Sequence, residues 1–360
     1  FFFSSRRRHT RCSRDWSQTC ALPISLVNSG QPQFFTMSTA PTAAFAPAYP
    51  NILTAVPSGF ALPTQDVTTV SPNFRTLYSE NANVQITHAV TSSLGLTVGY
   101  LFTKGTHIPV VSNINLLTTG TFLGDGRPIY GAGRVDTRFN NILMASSVGN
   151  SNYNGLNVTL NWKSSKGYEW MTTYTWSHAI DDAPESNVLD SGGLTLLDPS
   201  NRRRDRGNSF SDRRHALTMT AVLEPKKVGS GKGISYIANH NRVSFSLQAQ
   251  SGDPFNITAN RTLNGDSTAN QRPLYVGRNT VVGQSIYQLD MRYSRIFPVG
   301  ERWKPEFFAE FWDLFNHSNI TGLNTSATVD AAGNITARPS FLATAARDNR
   351  LVQIGLKLSF

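Results

Sequence analysis

The chain has 360 residues, 33 Lys+Arg against 23 Asp+Glu, a formal charge of +10, 39% hydrophobic and 16% charged residues. The apolar share lies below the ~45–50% of ordinary soluble domains, which argues against a helical bundle. Nowhere is there a run of the ~18 apolar residues that a membrane helix needs, so a helical membrane span is excluded.

Residues 1–25 hold Arg6, Arg7, Arg8, Arg11 and Arg14, a single acid, Asp15, and both cysteines, Cys12 and Cys20. No continuous apolar stretch follows the arginines, so a signal peptide does not fit. The segment is unlike everything downstream and resembles translated sequencing-adaptor read-through, and it is set aside as non-native. Beyond it there is no cysteine, which removes disulfides, thiol chemistry and a Cys-based zinc site.

From about residue 74 the signal is strict alternation of apolar and polar residues, the period of a strand with two unlike faces. Strands are expected near 74–90, 94–103, 153–163, 168–177, 213–223, 242–251, 286–296, 302–315 and 350–360. In 156–163 Leu156, Val158, Leu160 and Trp162 alternate with Asn157, Thr159, Asn161 and Lys163; in 287–294 Tyr287, Leu289, Met291 and Tyr293 alternate with Gln288, Asp290, Arg292 and Ser294. The segment 302–315 departs from the rule, because Phe308 and Trp312 flank Glu310 on the otherwise polar face.

These runs approach the ~9–11 residues that cross a bilayer at a tilt rather than the ~5–6 of soluble strands. Short turns at 91–93, 164–167 and 297–301 interleave with long polar stretches at about 103–152, 178–212, 256–285 and 316–348. That asymmetry predicts an all-β fold, an antiparallel transmembrane β-barrel with short periplasmic turns and long extracellular loops. The connection 225–241 is longer than a turn and fits less well. Parity makes Ile142-Leu143-Met144 part of an extracellular hairpin extension, and 26–73 a remnant of an extracellular loop. About nine strands is odd, whereas bacterial single-chain barrels have even numbers, so 74–360 is read as the C-terminal part of a larger barrel.

Tyr100, Phe102, Trp162, Trp170, Trp176, Tyr287 and Tyr293 fall near strand ends, where amphipathic rings favour the headgroup level, and they are read as an aromatic girdle. Arg202, Arg203, Arg204, Arg206, Arg213 and Arg214 form the densest basic run. Without a groove-reading element or interleaved aromatics they do not indicate nucleic acid, and they are read as contacts for anionic ligands or lipopolysaccharide phosphates. Asp181 and Asp182 with Glu185 and Asp190 lack the spacing of a calcium loop and read as a solvated acidic loop. No HExxH, GxSxG or phosphate-cradling loop occurs, and His88, His107, His178, His215, His240 and His317 are scattered singly. No catalyst, cofactor or metal is therefore expected.

Six short segments occur in series: Asn73-Phe74-Arg75-Thr76 with Gly99-Tyr100-Leu101-Phe102-Thr103-Lys104-Gly105-Thr106-His107; Asn150-Ser151-Asn152-Tyr153-Asn154-Gly155-Leu156; Tyr174-Thr175-Trp176-Ser177-His178-Ala179-Ile180-Asp181-Asp182; Asp205-Arg206-Gly207 with Asp212-Arg213-Arg214-His215; Ser251-Gly252-Asp253-Pro254-Phe255; and Ala309-Glu310-Phe311-Trp312-Asp313-Leu314-Phe315-Asn316-His317. Together they resemble Oar-like TonB-dependent receptors over roughly residues 40 to 360. The resemblance implies a plug, a barrel of about 22 strands and energy coupling through the TonB complex. It also implies uptake of a large or scarce ligand, while the terminal strand ending in Phe360 resembles the signal read by the barrel assembly machinery. A surface adhesin or structural barrel without active transport is the alternative.

Overall fold

Alternation in sequence becomes a ladder of nine long antiparallel strands in the computed structural model. The structure describes residues 64–183, 196–225, 239–266, 271–298 and 302–359, together with the backbone of Ser25–Leu26. The strands are β1 (Tyr78–Thr91), β2 (Leu94–Asn113), β3 (Phe139–Lys163), β4 (Tyr168–Asp181), β5 (His215–Leu223), β6 (Asn241–Gln250), β7 (Ile286–Ile296), β8 (Glu306–Trp312) and β9 (Leu351–Lys357). Each pairs with its neighbours in chain order, and the remaining small sheets of two or three strands lie in the connections. Two expected strands are shorter than the sequence suggests: 302–315 contracts to Glu306–Trp312, and 350–360 to Leu351–Lys357. Phe360, most of 1–25, and Glu185 and Asp190 lie outside the described residues.

The register sorts side chains cleanly onto two faces. One row runs Leu94, Trp162, Trp170, Ala221, Phe245, Met291, Phe311, Val352 across the sheet. Another runs Ile86, Val98, Val158, Tyr174, Leu217, Ala249, Tyr287. The intervening rows are polar and bond across strands: Thr87 with Thr97 (3.1 Å), Thr159 with Thr173 (3.0 Å), and Thr175 donating to Asn157 (2.7 Å). The apolar face is uncovered, with Ile86 70%, Ile354 66% and Leu356 65% exposed. This is the inverse of a soluble protein, and an uninterrupted apolar stripe of this extent needs a lipid solvent.

The buried apolar side chains sit elsewhere. Val67, Val110, Val111 and Ala145 form a small core beyond the loop end of the sheet. It exists because β2 and β3 have 20 and 25 residues, about twice what a bilayer crossing requires. Their surplus halves pair as Ile108–Asn113 against Leu143–Gly149, and the strand Gln65–Val70 adds parallel to Phe139–Ala145. Ile142, Leu143 and Met144 thus lie in a projecting extension, as strand parity requires. Asp66 secures the added strand by accepting from the Asn140 side chain (2.8 Å) and the Asn141 N–H (2.9 Å).

At the two lateral margins β1 pairs only with β2, and β9 only with β8, among the described residues. The sheet is open, with β1 exposed along its whole length.

Candidate functional site: the loop layer and the polar face

The connections at the loop end are fastened to one another by buried charges. Asp205, on the 3-10 turn Arg202–Asp205, accepts from Arg272 Nη1 (2.9 Å) and from the Leu197 N–H (2.8 Å), and both members of the ion pair are fully buried. Arg272 also donates to the Arg204 carbonyl (2.7 Å). Arg204 bonds Asp198 (2.9 Å) and the Asp125 carbonyl (2.7 Å), and Asp125 in turn holds Arg127 (2.9 Å). Arg278 reaches the Asp181 carboxylate and the Asp205 carbonyl. One network therefore ties segments near 125, 181, 198–206 and 272–278, which are far apart in sequence.

Burial depresses the affinity of Arg272 for its proton, the Asp205 carboxylate opposes this, and the neighbouring Arg278 and Arg127 add to it. Tyr130, on the hairpin Leu116–Phe122/Pro128–Arg134, is pushed up by burial and then by Asp198 and Asp266. Several donors in the network have no hydrogen-bond partner among the described residues: Nη1 and Nη2 of Arg127, Nε of Arg272 and Nη2 of Arg278. Asn115, 1% exposed, closes the neighbouring turn by donating to the carbonyls of Asp136 (3.0 Å) and Phe139 (2.9 Å) and accepting from the Asp136 N–H (2.7 Å). In that turn the Arg138 side chain and N–H together hold the Asp136 carboxyl down to about 2.

The basic run is not one free patch. Arg202 pairs with Asp182 (3.2 Å), Arg204 with Asp198, Arg213 with Asp253 (2.5 Å) and Arg214 with Asp212 (3.6 Å). Arg203 and Arg206 are exposed and make no ion pair among the described residues. Asp181 and Asp182 depart from the solvated loop expected of them, being only 7% and 9% exposed. Their partners are Arg278, contributed by the β6–β7 connection, and Arg202, twenty residues further along their own connection. Sequence spacing gave no sign of this, because Arg278 and Arg272 lie in a different loop from the carboxylates they meet.

All seven aromatic positions project from the apolar face, since they share the parity of its rows. Trp162, Trp170 and Tyr293 lie toward the turn end of the sheet, and Tyr100, Phe102, Trp176 and Tyr287 toward the loop end. Two of the phenols are tethered, Tyr100 to Asn154 and Tyr293 to Asn241, each at 2.7 Å. On the opposite face near the turn end, Arg292 joins Glu310 (2.7 Å) and Glu306 (3.2 Å) and lies 4.2 Å over the Phe308 ring. Phe308 itself faces Gly355 across the ladder.

A sheet with one lipid-compatible face, one polar face, short turns at 92–93 and 164–167 at one end and an interlocked loop layer at the other defines the wall of an outer-membrane β-barrel. The chain belongs to the outer membrane beta barrel domain family, which matches residues 17–277 and 274–353. It is thus a protein of the bacterial outer membrane. No curated protein matches it. Among solved structures it is similar to the outer membrane transporter YddB from Escherichia coli, at 9% identity over 83% of this chain and 35% of that one, with a TM-score of 0.48. It is similar also to the FrpB iron transporter from Neisseria meningitidis, at 9% identity over 81% and 32% with a TM-score of 0.43. The ferric-catecholate import receptor Fiu from Escherichia coli matches at 11% identity over 79% and 28%, with a TM-score of 0.41. The chain spans about a third of the length of these structures.

Proposed function

We propose that the chain is the C-terminal part of the barrel wall of a TonB-dependent receptor that takes up a large or scarce ligand. The observation that carries this reading is the buried Arg–Asp network that fixes three connections, β2–β3, β4–β5 and β6–β7, into one layer over the loop end. Loops that only needed solvation would gain nothing by burying charges, whereas a ligand-facing surface gains from being held in place before binding. The ordered motif series shared with Oar-like receptors supports the same reading. Of the expected loop remnant 26–73, residues 27–63 lie outside the described residues and 64–73 contribute to the extracellular layer; the remaining wall joins at the free margins of β1 and β9, because unpaired backbone is costly in lipid. The seven aromatics set the depth of the wall at two headgroup levels. Phe360 and the strand before it engage the assembly machinery, and Arg203 and Arg206 offer charge to an anionic ligand.

The test uses the full-length protein and the periplasmic domain of TonB. Direct binding of the two, with the same nutrient-uptake defect in cells lacking this gene and in cells lacking TonB, is the expected result. Absence of TonB binding together with a loss of surface attachment in the deletion strain would replace transport with adhesion.

A further inference from the structure

On the apolar face, just where its apolar rows end, lies a groove of about 350 Å³. Its floor and walls are Tyr100, Leu156 and Trp176, which sit side by side on β2, β3 and β4. One step further toward the loops the outward row is Phe102, Asn154 and His178, and Arg214 completes the rim. On β3 and β4 apolar surface therefore gives way to polar and cationic groups within two residues of strand, as at the boundary between acyl chains and headgroups.

Arg214 is available for a ligand. Its side chain is 42% exposed, and its guanidinium makes no hydrogen bond among the described residues, only the 3.6 Å ion pair to Asp212. The other oxygen of that carboxylate, Oδ1, accepts the Ala179 N–H (2.7 Å) and meets His178 Nδ1 (3.3 Å), which holds Asp212 in place at 8% exposure and leaves its Oδ2 at this long distance from Arg214. The Arg214 backbone is fixed, since its carbonyl accepts the Ser177 N–H (3.0 Å).

We propose that this groove binds a phosphate-bearing glycolipid of the outer leaflet, with an acyl chain along Leu156 and Trp176 and the phosphate on Arg214. The geometry matches such a lipid in both its parts: an apolar trough open to the bilayer and a forked donor at headgroup height that pairs with phosphate oxygens. The inference rests on the barrel orientation, loops outward, and not on transport.

The experiment is native mass spectrometry of the full-length protein in detergent, titrated with bis-phosphorylated lipid A and with the same lipid A stripped of its phosphates. Folding of each variant is checked by its heat-modifiable mobility in gels. The phosphorylated lipid is expected to bind roughly tenfold more tightly or better, and Arg214→Gln to abolish that preference, while Arg138→Gln, an exposed cation on the Asp136 turn outside the groove, keeps it. Leu156→Trp, which fills the trough, is expected to weaken both lipids. Equal binding of the two lipids to the unaltered protein, or an unchanged preference in Arg214→Gln, overturns the proposal. Where Arg214→Gln does not fold, the comparison of the two lipids on the unaltered protein decides. Loss of TonB binding with this preference intact would count against the transport reading alone.

Discussion

At the scale of single residues the loop layer depends on charges that have left water, and its weak points follow from that. Arg272 and Asp205 are both fully buried, so removing one leaves the other charged without compensation. Arg272→Ala is expected to cost about 3–5 kcal/mol. The loss will appear as rapid proteolysis of the connections while the strands keep their heat-modifiable gel mobility. Replacing both partners, as Arg272→Met with Asp205→Leu, is expected to recover part of it, because no orphan charge remains although the Leu197 N–H and the Arg204 carbonyl lose their partners. Asp136 behaves differently. Its carboxyl is held at about 2 against an ordinary 3.8, chiefly by the Arg138 side chain and then by the Arg138 N–H. A lowered carboxyl stabilises the turn above its ordinary value and stops doing so as pH falls through about 2. Carbon-13 titration of Arg138→Ala is expected to show the Asp136 midpoint returning toward 3.8.

At the scale of elements, the strands were legible because each membrane-crossing segment must show lipid one face and polar groups the other, and a period of two records that directly. The projecting halves of β2 and β3 were not. Beyond the bilayer that inside–outside contrast lapses, and Pro109, Asn113 and Asn150 read as loop although their backbone continues the ladder. The buried Arg–Asp pairs were equally silent, since a partner such as Arg272 for Asp205 is chosen by folding and not by spacing. The aromatic positions were read at strand ends from sequence, and alternation already put Trp162, Tyr287 and Tyr293 with the apolar residues; which rings share a level came only with register. The irregular pattern in 302–315 has a local cause. Phe308 stands on the polar face because Gly355 opposite leaves room for its ring, where an added Cβ would come within 2.3 Å of the ring's Cζ, and because Arg292 covers it. Gly355→Val is therefore expected to destabilise the β8–β9 pair by about 1–3 kcal/mol, as overpacking does. Adding Phe308→Ala is expected to relieve much of that cost. A double-mutant cycle in urea unfolding measures the coupling, and strict additivity would break the link between the two residues.

At the scale of the whole molecule everything turns on which face meets lipid, and adjacent residues in the middle of the sheet decide it. On β6, Leu247 lies in register with Met219 and Leu289 on the apolar face. Its neighbour Gln248 lies between Thr218 and Gln288 on the polar face. Leu247 lies between the two aromatic levels, since Tyr293 pairs with Val243 nearer the turns and Tyr287 with Ala249 nearer the loops. An arginine at Leu247 would have to leave water for hydrocarbon, at a cost of about 2–4 kcal/mol near the bilayer midplane. The same arginine at Gln248 would enter a polar, hydrated face that already carries Asp290 and Arg292, and its cost should be within about 0.5 kcal/mol of zero. Urea unfolding of the full-length protein in lipid vesicles, followed by tryptophan fluorescence, compares Leu247→Arg with Gln248→Arg directly. A large loss for the first alone fixes the faces as described. Equal losses would mean that neither face is set against lipid, and a loss for Gln248→Arg alone would turn the wall inside out.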